Sequence, residues 1–267
     1  MSDIVLEMEN LTRRFGDFTA VNALTLAVNA GEVFGLLGSN GAGKTTTIKM
    51  LTTLLPPSAG EARVAGFSIT TQAVGVRRSI GYVPQAVSVD GSLTGYENLL
   101  IFAKLYDVPH REQQARIREA LAFMGLTADG GRQVGEYSGG MVRRLEIAQS
   151  MLHRPRVLFL DEPTVGLDPI ARDAVWQHLV DLRADHGTTL FFTTHYLEEA
   201  ASHCDRIAIM HLGKMAALGT CQELETSLGG SGHTLSEVFV HYAGTALEAG
   251  GTFRDVAAER ATAQRLG

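Results

Sequence analysis

The sequence predicts an α/β fold with a mainly parallel sheet, an antiparallel β subdomain and an inserted α-helical subdomain. Three observations lead there. Continuous apolar runs at 33–37 (VFGLL), 157–160 (VLFL), 189–194 (TLFFTT) and 206–210 (RIAIM) suit strands buried on both faces. Helical stretches separate these runs, and strand–helix alternation is the pattern of a parallel sheet. Residues from about 90 to 153 carry helical signals and no buried strand.

In chain order, residues 4–8 (IVLEM) and 23–28 (ALTLAV) partly alternate apolar and polar side chains. They read as paired antiparallel strands. A helical stretch over 46–55 follows the run at 33–37. Thr94 and Glu97 form a capping box that opens a helix through about Tyr106, with Pro109 beyond it. A second helix covers 111–124 and stops at Gly125; a third starts near Ser138 and must end before Pro155. Gly229-Gly230-Ser231-Gly232 reads as a linker. The Ala-rich, charged tail from about 245 reads as a frayed helix or disordered end. No internal repeat is present.

The chain has 267 residues, room at ~150 residues per domain for one large domain or a domain with a smaller lobe. Hydrophobic residues make up 45% and charged residues 19%, which excludes disordered and collagen-like classes. The net charge of −6 argues against a general nucleic-acid binder. Cys204 and Cys221 make no disulfide framework and fit a reducing compartment. There is no run of 18 apolar residues, so no membrane span is expected. Met1-Ser2-Asp3-Ile4 does not start a basic region followed by an apolar stretch, so no signal peptide is expected. A cytosolic or peripheral protein is the expectation.

The strongest chemical signal is Gly38-Ser39-Asn40-Gly41-Ala42-Gly43-Lys44-Thr45, which matches G-x-x-x-x-G-K-[ST]. It lies between a buried strand and a helix, as a phosphate-binding loop must. Its glycines let backbone N–H groups turn toward phosphate oxygens, and the helix start adds a positive dipole end. Lys44 is expected to reach the β- and γ-phosphates, and the Thr45 hydroxyl to ligate Mg²⁺. Residues Gly38 to Thr46 are the expected nucleotide contacts. Asp161-Glu162 directly follows VLFL, at the carboxyl edge of a buried strand, where ligands bind. Asp161 is placed to hold Mg²⁺ through water, and Glu162 to polarise an attacking water.

With these motifs in view, the chain resembles the ABC-type ATPases. Tyr137-Ser138-Gly139-Gly140-Met141 resembles their signature loop, and it precedes Asp161-Glu162 by the spacing that family uses. Gln85 resembles the Q-loop glutamine, Asp168 the D-loop aspartate and His195 the switch histidine. Phe15 stands where the family stacks an aromatic on adenine, with Phe18 as a rival. Ser39 replaces the usual proline and Met141 the usual signature glutamine. The resemblance covers residues 4 to about 220, so residues 1–220 are expected to form the ATPase domain. Residues 221–267 are left as an extension of unassigned role. Stretches 88–90, 93–99, 141–148 and 234–239 are similar to the daunorubicin-type drug-resistance exporters.

The resemblance implies a P-loop NTPase core that binds ATP and Mg²⁺ and hydrolyses ATP. It implies a head-to-tail homodimer with two ATP molecules sandwiched between phosphate loops and partner signature loops. Ser138, Gly139 and Gly140 would then face the partner's γ-phosphate, and Asp168 would sit at the dimer interface. Glu162 is the expected general base, with His195 and Lys44 on the γ-phosphate and Gln85 on Mg²⁺. A separate integral membrane permease is the implied partner, with no nucleic acid, at the cytoplasmic face of the membrane. Val87, Val89, Leu93, Tyr96, Leu99, Leu100 and Phe102 offer a docking segment for it, or pack within the helical lobe. Arg143 and Arg144 read as a solvated helix face. A soluble ABC-type ATPase acting on a non-membrane partner and a non-catalytic nucleotide sensor are the competing readings.

Overall fold

A computed structural model describes residues 3–229 and 232–244. Parts of the linker, Gly230 and Ser231, and the tail from 245 lie outside the described residues.

The chain opens with two long strands, β1 (Ile4–Phe15) and β2 (Phe18–Asn29), paired antiparallel across a turn with Phe15 opposite Phe18. Both run longer than the alternating pattern predicts. Register shifts interrupt the ladder, and Asn10 (φ 49°) and Ala23 (φ 51°) adopt left-handed backbone there. Each bulge flips the in–out phase and breaks the period of two that a sequence reading relies on. β3 (Val33–Gly38) leads to the phosphate loop and α1 (Lys44–Leu51). α1 begins two residues earlier than expected and ends four earlier. Thr53 turns to φ 62°, and Pro56 favours extended backbone at Leu55.

Next come β4 (Ala59–Val64), β5 (Phe67–Ser68), α2 (Ala73–Ser79) and β6 (Ile80–Val83). The helical lobe holds α3 (Gly95–Leu105), α4 (His110–Phe123) and α5 (Gly139–Met151), close to the expected bounds. The Thr94–Glu97 capping box forms as read from sequence. Then follow β7 (Val157–Asp161), α6 (Pro169–His186), β8 (Thr189–Thr194), α7 (Leu197–His203), β9 (Arg206–His211), β10 (Lys214–Gly219), α8 (Cys221–Thr226) and α9 (Leu235–Ala243).

Two sheets result. One is antiparallel, in the order β2-β1-β4-β5; the other, in the order β10-β9-β3-β8-β7-β6, is parallel except for β10. The apolar runs are continuous because both faces of the central sheet are covered. Phe34, Phe159 and Phe191 pack toward the antiparallel sheet with Leu6, Met8 and Ile48. Leu158, Leu160, Leu190 and Phe192 pack toward the lobe and α6 with Leu99, Leu145 and Trp176. A third core joins α8 and α9 to Leu37, Ile207 and Ile209 through Leu224, Leu235, Val238 and Phe239. Residues 221–229 and 232–244 therefore pack on the sheet. Both cysteines are free.

Candidate active site at the carboxyl edge of the sheet

Parallel register sets the site. Leu37 pairs with Thr194, and Asp161 with Thr193, so β3, β7 and β8 end level. Gly38 closes β3, and Glu162 and His195 directly follow β7 and β8, which brings three distant motifs to one edge.

The phosphate loop is walled by β2 and the β9–β10 turn. Gly43 (φ 102°) lies so close to the Ala20 carbonyl that a Cβ there would collide with it. A Cβ on Gly38 would come within 2.6 Å of the Met210 carbonyl oxygen. Only glycine fits at these two points. Gly213 N–H donates to the Ala42 carbonyl at 3.1 Å and closes the wall. Lys44 is buried, and its ammonium donates to the carbonyls of Gly38 (2.8 Å) and Ser39 (3.2 Å).

One carboxylate gathers the expected catalytic set. Glu162 Oε1 lies 3.3 Å from Lys44 Nζ and 3.3 Å from His195 Nδ1. The His195 approach lacks hydrogen-bond alignment. Gln85 Nε2 donates to Glu162 Oε2 at 3.2 Å. Burial pushes the Glu162 carboxyl up, but His195 and Lys44 together outweigh it and hold the group below its ordinary value. Burial lowers the Lys44 ammonium, with Glu162 opposing the shift. Glu162 is therefore ionised at neutral pH and able to accept a proton. Its backbone sits at φ 49°, a left-handed position costing about 1–3 kcal/mol in a residue with a side chain. The Glu162 amide is fixed by Thr193 Oγ1 at 3.0 Å.

Asp161 is oriented on the same edge. It accepts from Thr193 Oγ1 at 2.6 Å and Thr45 Oγ1 at 3.1 Å. Burial raises its carboxyl against the pull of those hydroxyls. Thr45 hydroxyl, Asp161 carboxylate and the Gln85 amide oxygen are hard donors of the kind a magnesium ion takes. No cluster of three His, Cys, Asp or Glu side chains suited to a metal occurs among the described residues. A cation here would depend on nucleotide phosphates and water for its other ligands.

Other sequence-assigned residues lie apart. Ser138 caps α5, its Oγ accepting from Met141 N–H at 3.3 Å. Asp168 caps α6 by accepting from Ala171 N–H at 3.0 Å. The signature turn and the start of α6 touch through Gly140 and Ala171. Among the described residues no hydrogen bond joins 138–141 to the phosphate loop. Phe15 and Phe18 face each other at the hairpin tip. The Arg13 guanidinium lies 4.6 Å over the Phe15 ring, which is 38% exposed against 63% for Phe18.

Two expectations are corrected. Arg143 is not on a solvated face: it is 7% exposed and pairs with Glu146 at 2.9 Å. Arg144 is not free either, since Nη1 donates to the Met124 carbonyl at 2.8 Å. Of the proposed docking residues, Leu99 is buried, and Val89, Tyr96, Leu100 and Phe102 pack against the lobe core. Val87 alone in that set stands 68% exposed, joined by Ile101 and Leu105, which the sequence reading omitted. The lobe needs more of its apolar residues than composition suggested.

Sequence reasoning also passed over Glu199. It is buried and accepts from Thr164 Oγ1 and from Thr194 Oγ1 (2.9 Å), tying the segment after Glu162 to the strand end before His195. Its signal was weak: one of two adjacent acids opening α7.

The ABC transporter family profile matches residues 21–165, just over half the chain. The daunorubicin/doxorubicin resistance ATP-binding protein DrrA of Streptomyces peucetius is 46% identical over 224 residues, covering 84% of this chain and 68% of that one. The linearmycin resistance ATP-binding protein LnrL of Bacillus subtilis (strain 168) is 39% identical, covering 85% and 72%. The Nod factor export ATP-binding protein I of Burkholderia lata is 42% identical, covering 84% and 74%. A solved structure of an ATP-binding subunit of an ABC transporter superposes with a TM-score of 0.80 at 29% identity, covering 89% of this chain and 99% of that one. With the phosphate loop, the paired acids and the histidine assembled on one edge, the chain belongs to the ABC transporter family and is an ATP-binding, ATP-hydrolysing subunit of that family.

Proposed function

We propose that this chain powers an exporter of drug-like, lipid or other small molecules, whose path lies in a separate membrane permease. The carrying observation is the single Glu162 carboxylate that meets Lys44, His195 and Gln85 within 3.3 Å. The names of the relatives, resistance and export proteins, supply the transport direction.

Hydrolysis is in-line displacement at phosphorus, where positioning and charge stabilisation dominate. Glu162 takes the proton of the attacking water as general base. His195 holds that water and the γ-phosphate, while Lys44 exchanges Glu162 for phosphate oxygens. Thr45, Asp161 and Gln85 would hold Mg²⁺, which when bound offsets phosphate charge. Phe15 stacks on adenine. Two copies close head to tail on ATP, each signature Ser138-Gly139-Gly140 meeting the other's γ-phosphate and Asp168 lining the interface; loss of the γ-phosphate opens them.

No described helix is long and apolar enough to cross a membrane. The subunit is accordingly proposed to be peripheral on the cytoplasmic face, docked through Val87 and its surroundings. Residues 1–220 are proposed as the ATPase domain and 221–267 as an extension, whose helix α9 packs on β9.

A tagged pull-down from detergent-solubilised native membranes, using Glu162→Gln with ATP, tests this. Recovery of a multi-span membrane protein supports the exporter reading. Recovery only of soluble partners or ribosomes would replace it with a non-membrane ABC-type ATPase.

A further inference from the structure

We infer that Arg143 and Glu146 are positioning residues that lock the Gln85 loop onto the helix begun by Ser138. The inference rests on the reading that Gln85 serves hydrolysis.

The two side chains lie three residues apart on α5, on the same face. They are 7% and 2% exposed and form an ion pair at 2.9 Å. Their remaining hydrogen bonds go to one loop. Arg143 Nη1 donates to the Pro84 carbonyl at 2.8 Å, and Nη2 to the Gln85 carbonyl at 3.4 Å. Glu146 Oε1 accepts from Ser88 N–H at 2.6 Å and from Ser88 Oγ at 2.9 Å. One pair thus grips residues 84–88 at both ends. Between those grips, the Gln85 side chain reaches Glu162 at 3.2 Å.

Stability alone gives little reason for such a pair. A well-packed apolar pair of similar volume commonly stabilises a core as well or better. What the charged pair adds is geometry: four directional bonds to a loop that has no ladder partners of its own. Beyond the grip, Asn98 takes over, donating to the Asp90 carbonyl and accepting from its amide. The loop between the sheet and the lobe is therefore set by side chains at both stages.

The consequence is mechanical. Arg143 sits five residues after Ser138, about 7.5 Å along the helix. A displacement of the Gln85 loop moves the start of α5 with it. In a head-to-tail pair the signature belongs to the other copy's nucleotide. The clamp then links the glutamine at one ATP to the signature serving the second.

The test replaces the pair by apolar residues of similar size, Arg143→Met with Glu146→Leu, and asks for kcat, KM for ATP, melting temperature and the Hill coefficient. Arg143→Lys, which keeps charge but loses the forked geometry, is the milder companion. The expected result is a fall in kcat of about tenfold, the scale of a misplaced catalytic group, with KM and melting temperature near wild type. The Hill coefficient falls toward one, and Arg143→Lys lies between. In a Gln85→Ala background the same double replacement adds no further loss, because both act through one residue. Wild-type kcat in the double variant, or losses that simply add in the Gln85→Ala background, overturns the inference. A wild-type rate unaffected by Gln85→Ala would instead remove the reading it rests on.

Discussion

At the phosphate-loop edge the main chain does the placing. β3, β7 and β8 end in register, which brings the segments beyond them to one place. In the helical lobe the reverse holds. α3, α4 and α5 share an apolar core with the sheet, and the loop at 84–90 that leads into them is set by Arg143, Glu146 and Asn98. The comparison teaches where each region can change. An edge built on parallel strands is rigid and tolerates only local chemistry. At the loop leading into the lobe, a substitution changes side-chain bonds while the shared apolar core stays packed.

Substitutions at the edge should therefore alter chemistry and leave the fold standing. Lys44→Ala removes charge-assisted bonds worth about 1.5–3 kcal/mol, so ATP affinity should fall roughly 10- to 150-fold in equilibrium binding. An affinity within twofold of wild type would show that the carbonyl-bonded ammonium does not transfer to phosphate. Base–aromatic stacking is worth ~1–3 kcal/mol, and the half-exposed Phe15 belongs at the low end. Phe15→Ala should weaken ATP binding about fivefold, while Phe18→Ala leaves it unchanged; the opposite result would hand the adenine contact to Phe18.

In the lobe the effect should be on stability. Thr94→Ala removes a capping box and should cost about 1 kcal/mol, read by chemical denaturation, with ATP affinity unaltered. Coupled loss of affinity would mean that the lobe and the edge are not separable.

The smallest effect concerns pH. The folded Glu162 carboxyl lies below its ordinary value. Its ionic contribution to stability is present above the unfolded pKa and is lost as pH falls through the lowered folded one. The melting-temperature gap between wild type and Glu162→Gln should narrow as pH falls from 4.5, the ordinary carboxyl value, through the lowered folded one. A gap that stays constant over that range would contradict the lowered carboxyl.

Legibility in the sequence follows the same division. Lys44, Thr45 and Asp161-Glu162 were readable because each motif is local and its strand context is a simple apolar run. Gln85 and His195 were readable only through their order in a family pattern, since an isolated glutamine or histidine carries no periodic signal. Arg143 was misread as solvated because a charge on a short helix defaults to the outside face. Its partner Glu146 lies three residues on, but the loop that both hold is 58 residues or more away in sequence. Glu199 and Thr193 were missed for the same reason. The full lengths of β1 and β2 were hidden by bulges that interrupt alternation.

The central claim is that Glu162, gathered with Lys44, Gln85 and His195, is the general base of ATP hydrolysis. Single-turnover hydrolysis by Glu162→Gln, with ATP binding measured on the same sample, tests it most directly. A positioned general base contributes about 10²–10⁴ in rate, so the account expects a loss of that size with ATP binding retained. Hydrolysis at the wild-type rate with binding intact would remove Glu162 from the chemistry and contradict the account.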